Sequence, residues 1–127
     1  MDKFVSKEFL QLKQKVIEFV EEDLEPLHFQ VEASGEIPPT LVDKMRRLGL
    51  FGLSIPRAYG GLGLTTLEEI LIYEEMTQTN ACFRSRIGTS NGIGSMGILY
   101  DGTEAQKRWY LPRVASGQWT SAFALTE

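Results

Sequence analysis

The segment from Cys82 to Tyr100, CFRSRIGTSNGIGSMGILY, constrains the fold more than any other stretch of the chain. It carries no charge after Arg86, so it does not read as a surface loop. Yet Gly88, Gly92, Gly94 and Gly97 are interleaved with Ser85, Thr89, Ser90 and Ser95. Each interior glycine costs a helix about 1 kcal/mol relative to alanine, so such a run implies that something comes close to its backbone. Two readings follow. A neighbouring helix packs tightly on Gly88 and Gly92, which lie four apart. Alternatively, a ligand lies along the face of Ser85, Thr89, Gly92, Ile93 and Met96, where hydroxyls orient a polar group and absent side chains leave room.

The remaining composition narrows the class. A chain of 127 residues with 43% apolar and 24% charged residues is one soluble globular domain able to bury a core without metal or disulfides. Against 17 Asp and Glu stand 13 Lys and Arg, a formal charge of -4, and basic residues cluster no further than pairs such as Arg46-Arg47. Nucleic acid and membrane are therefore not expected partners. Cys82 is the single cysteine, which precludes an intrachain disulfide, suits a reducing cytoplasm and reads as a structural thiol. His28, the single histidine, has no companions for a metal site and reads as exposed or capping. The N-terminal MDKFVSKEFLQ lacks an apolar signal core, and no run is long enough to span a bilayer, so a cytoplasmic chain is expected.

Helical periodicity dominates the order of elements. Phe9, Leu12, Val16, Phe19, Val20 and Leu24 recur at helical spacing between Ser6 and about Val31, with a bend or restart at Pro26 and a solvated acidic run at Glu21-Glu22-Asp23. Pro38 and Pro39 lead into a short helix over 40–48, stopped by Gly49. Residues 48–64 read as a tightly turned, partly buried loop. Thr65 with Glu68 forms a capping-box pattern for a helix ending near Thr79 or Asn80, its inner side carrying Leu67, Ile70, Leu71, Glu74 and Met76. The glycine-rich run supplies the next helix. Thr103 with Gln106 opens another through Tyr110, which Pro112 interrupts. Finally, Trp119, Ser121, Phe123 and Leu125 alternate with smaller residues at the period of a strand, one without a partner in this chain.

Several motifs together resemble the acyl-CoA dehydrogenase family. LFGLSIPRAYGGLGL, YDGTEAQKRWYLPRVASGQW and the terminal FALTE are similar, in order and spacing, to three segments of that family. The resemblance implies an all-α fold: a helical N-terminal domain over 1–117, with 118–127 as the first strand of a truncated middle β domain. It further implies FAD as cofactor, an acyl-CoA substrate oxidised between its α and β carbons, electron-transfer flavoprotein as partner, and a homotetramer or homodimer. The catalytic base would lie outside this chain, so no catalytic residue and no metal ligand is expected here.

Position by position, the resemblance implies that Phe123, Leu125 and Thr126 contact the flavin; Glu127 matches the same motif and is read as structural. Ser85, Thr89, Ser90 and Ile93 correspond to the wall of the acyl pocket. Phe83-Arg84-Ser85 is similar to glutaryl-CoA dehydrogenases, in which the arginine and serine hold a distal carboxylate; Arg86 departs from that subgroup's small residue. Two alternatives stay open: an acyl-CoA oxidase or other superfamily member, and a helical binding or assembly module without catalysis.

Overall fold

The computed structural model describes residues 4–126. Ser6 caps the first helix by accepting the Phe9 N–H at 3.0 Å, and α1 runs Lys7–Phe19 with Phe9, Val16 and Phe19 buried. The expected restart occurs through a widened π turn at Val20–Leu24 and a 3₁₀ turn at Glu25–Leu27, before α2 at His28–Ser34. Proline lacks an N–H and crowds the preceding turn, so the chain loosens one turn ahead of Pro26. Glu21 and Glu22 are solvated as expected, whereas Asp23 takes the Lys44 ammonium. That lysine lies on α3, Pro39–Arg47, whose end is followed by Gly49 at φ 74°.

The loop that follows is part of the core. Leu50, Phe51, Leu53 and Ile55 are almost wholly buried. Their backbone is secured when the chain doubles back, with Leu62 N–H on Gly52 O, Leu64 N–H on Leu53 O and Gly63 N–H on Ile55 O at 2.7–2.9 Å. Buried main chain is tolerable only because these groups pair.

Thr65 and Glu68 form the anticipated capping box, and α4 spans Thr66–Met76, shorter than expected. Its inner side differs too. Glu68, Leu71, Ile72 and Met76 face inward, while Leu67, Ile70 and Glu74 face out. The Glu68 carboxylate returns to the Thr65 N–H at 2.9 Å, which turns that edge of the helix toward the core. Replacing Thr65 by alanine is expected to cost about 1 kcal/mol, read as a lower thermal midpoint.

The glycine-rich run is two helices rather than one: α5 at Ala81–Asn91 and α6 at Met96–Asp101, broken at Gly92 (φ -98°, ψ -112°). The last helix, α7, also departs from expectation. It runs Glu104–Ala115, straight through Pro112. Leu111, Val114 and Ala115 are buried with Ile55, and this packing offsets the hydrogen bond that proline removes. Gly117 (φ 71°) then turns the chain into 120–126, which has no regular structure. No strand forms among the described residues; the alternating segment has no partner to pair with, and Glu127 lies outside them. The fold is all-α.

Candidate functional site

Helix α5 is oriented by its core face. Phe83, Ile87, Ser90 and Asn91 are buried, and Asn80 caps the start by accepting the Cys82 N–H at 3.0 Å. That rotation leaves Arg84 and Ser85 exposed and Thr89 half-buried, with Ile93, 64% exposed, just past the helix end. Ser85 and Thr89 stand one turn apart on a common side, as anticipated. Ser90 does not join them. It points inward, fully buried, and its hydroxyl has no partner.

The two arginines diverge. The Arg84 guanidinium stacks 4.6 Å from the Tyr73 ring centroid on α4 and lies over Gly88, where a Cβ would come within 3.0 Å of Nη1. Tyr73 donates to Glu69 at 2.8 Å; burial, then that carboxylate, pushes its phenol well above the usual range and keeps it a neutral donor. Among the described residues Arg84 makes no ion pair, so its charge is available to an outside anion. Arg86 turns the other way, 5.2 Å from the Phe51 ring centroid, and donates to Thr120 Oγ1 at 3.2 Å.

Sequence reasoning missed the residue that fixes this helix end. Asn91 accepts the Leu53 N–H at 2.6 Å and donates to the Leu50 and Ile87 carbonyls at 2.7 and 3.0 Å, while its own carbonyl accepts from Ser54 Oγ at 2.8 Å. It thereby clamps the buried 50–54 loop to α5. The one available signal was a polar side chain beside Ser90 in an otherwise small-residue run.

The C-terminal segment lies against the break between α5 and α6. Phe123 and Leu125 are 58% and 76% exposed, and Thr126 is exposed beside them. These uncovered apolar side chains stand in a segment without regular structure. Two grooves of about 510 and 440 Å³ occur elsewhere, one along Ile37, Val42, Arg46 and Arg86, the other along Phe9, Leu12, Leu62 and Glu68. Neither includes Ser85, Thr89, Ser90 or Ile93, of which Ser85 and Ile93 are exposed and Thr89 half-buried. Cys82 is half-buried against the main core, and burial pushes its thiol up. His28 approaches Glu32 and Thr79 at 3.4 Å each, a surface role. No cluster of potential metal ligands occurs among the described residues, and no helix in them is long and apolar enough to cross a membrane.

Residues 6–118 match the family described as acyl-CoA dehydrogenase, N-terminal domain. An acyl-CoA dehydrogenase of Bacillus subtilis (strain 168) is 34% identical over 123 residues, covering 97% of this chain and 32% of that protein. The solved acyl-CoA dehydrogenase of Bacillus anthracis complexed with FAD superposes with a TM-score of 0.84 at 33% identity, over 97% of this chain and 21% of that one. A chain solved in work on the electron transferring flavoprotein of Acidaminococcus fermentans gives 0.79 at 29% identity, over 89% of this chain and 30% of that one. The chain belongs to the acyl-CoA dehydrogenase N-terminal domain family. It spans about a third of the length of the B. subtilis relative.

Proposed function

We propose that this chain supplies one wall of the active site of an FAD-dependent acyl-CoA dehydrogenase, which oxidises an acyl-CoA thioester to the 2,3-enoyl-CoA. Residues 1–117 form the helical domain, and 118–127 open the next. The observation that carries the reading is the pairing of an open Ser85–Thr89–Ile93 side of α5 with the uncovered Phe123–Thr126 segment, on a fold shared with an FAD-bound relative. Ser85 and Thr89 would orient the acyl chain and Ile93 would touch it, while Ser90, turned into the core, is given no contact with it. FAD, when bound, accepts the hydride; Phe123 and Leu125 would lie against its ring and Thr126 at its polar edge. No residue of this chain is assigned the proton abstraction. Electron-transfer flavoprotein is the proposed electron acceptor, supported by the A. fermentans likeness, and a homodimer or homotetramer the proposed assembly.

Arg84 and Ser85 make a second carboxylate on the acyl chain the substrate feature to test. An unpaired guanidinium held on an aromatic ring suits charge-assisted bonding to such a group. Arg84→Ala in the full-length protein is expected to lower kcat/KM for glutaryl-CoA by roughly 30- to 1,000-fold, equivalent to about 2–4 kcal/mol, with butyryl-CoA little affected. Equal effects on both substrates would remove the carboxylate role.

A helical assembly module without catalysis is favoured by one observation, the uncovered apolar side chains Phe29, Ile70, Phe123 and Leu125. FAD binding by the full-length protein separates the two: a flavin-loaded protein supports the enzyme wall, and a defined oligomer that binds no FAD supports the module.

A further inference from the structure

Three consecutive residues, 119 to 121, attach the C-terminal segment to the helical body immediately before its proposed flavin contacts. The Trp119 N–H donates to Arg113 O at 3.0 Å, and its ring packs edge-on against Trp109, 6.4 Å between centroids. The Arg113 guanidinium lies 3.9 Å from the Trp109 centroid and 5.2 Å from that of Trp119. Thr120 Oγ1 receives the Arg86 bond. Ser121 fills space that only a glycine at 94 leaves: a Cβ there would stand 2.1 Å from Ser121 Oγ and 2.7 Å from Thr89 O. The Ser121 hydroxyl is buried without a partner, so shape rather than hydrogen bonding holds it.

We infer that Gly94 and Arg86 are positioning residues for the flavin. Through Ser121 and Thr120 they fix the placement of Phe123, Leu125 and Thr126, and the inference rests on the flavin-contact role proposed above for those three. Among the described residues, the Ser121 and Thr120 contacts and the Trp119 N–H bond are what attach this segment to the helices. The same turn reaches the acyl side, because the Gly94 N–H donates to Thr89 O at 2.9 Å. Gly94 therefore joins the residue that orients the acyl chain to the segment that faces the cofactor. Arg86, anchored on Phe51, supplies the second point of attachment. Supporting contacts of this kind decide whether a site is held in a productive geometry.

The test uses the full-length protein with Gly94→Ala and, as a milder change that preserves shape, Thr120→Val. FAD affinity is read from released-flavin fluorescence, the flavin midpoint potential by redox titration, and thermal unfolding is followed on the apoprotein. Gly94→Ala is expected to weaken FAD binding about tenfold or more, and Thr120→Val about threefold. The potential should shift in both, while the apoprotein midpoint of Thr120→Val stays at the wild-type value. FAD affinity and potential unchanged in Thr120→Val, or moving only in step with apoprotein stability, would overturn the inference. A wild-type protein that binds no FAD would overturn the flavin reading itself, and that result is recognisable because no variant is involved.

Discussion

Asn91→Ala is expected to lower the stability of this domain by about 3–5 kcal/mol, a large share of the roughly 5–15 kcal/mol that holds an ordinary domain together. Alanine leaves the Leu53 N–H and the Leu50 carbonyl without their partner deep in the core. Each buried group abandoned in this way costs about 1–3 kcal/mol, and the small cavity adds to that. The thermal midpoint should fall by about 10–20 °C in a chain of this size. Asn91→Asp offers no rescue, since it keeps the acceptor but loses the donor and buries a charge. Urea unfolding with an unchanged slope and a sharply lower midpoint is the expected record. A loss below about 1 kcal/mol would mean that the loop is held by its own double-back contacts instead.

Gly61→Ala should be nearly as damaging, for a steric rather than a hydrogen-bonding reason. A Cβ on Gly61 would stand 1.9 Å from Ile55 O, 2.5 Å from its carbonyl carbon and 2.6 Å from its Cβ. The obstacle is mostly main chain, so no side-chain rotation relieves it. The 53–64 double-back must open, withdrawing Ile55 from its contact with Leu111 and Val114. We expect about 3 kcal/mol or more. Gly60→Ala is the comparison. Its backbone sits at φ 84°, but a Cβ there would meet nothing nearer than 3.9 Å. Only the cost of a left-handed residue applies, about 1–2 kcal/mol. Equal losses in the two variants would contradict the steric argument.

These two residues also show where sequence reading stops. Helix starts were legible because capping is local: Thr65 with Glu68 and Thr103 with Gln106 each close a box within four residues. The stop at Gly49 is local for the same reason. Pro112 misled because the packing of Leu111 and Val114 against Ile55 is made across the fold and outweighs a missing bond. Leu67 and Ile70 misled because α4 is apolar on more than one side, and spacing alone cannot choose which side turns inward.

The candidate site was partly legible. Ser85 and Thr89 share a side of α5 because four-residue spacing requires it. Ser90 is turned into the core, and the glycine-rich run breaks at Gly92, so Ile93 continues that side only from beyond the helix. Asn91 escaped notice because its partners, Leu50 and Leu53, are some forty residues away. The Gly94–Ser121 fit escaped for the same reason, as both ends look like ordinary small residues until the chain brings them together.

On the proposed function, the α5 side and the 123–126 segment are two parts of one flavin-dependent acyl-CoA site. Anaerobic addition of saturated acyl-CoA thioesters to the purified full-length protein tests it most directly. The expected result is a yellow, FAD-containing protein whose oxidised flavin absorption is bleached by such a thioester, with bleaching impaired by Thr89→Leu. A protein without flavin, or a flavin that acyl-CoA leaves oxidised, would contradict it.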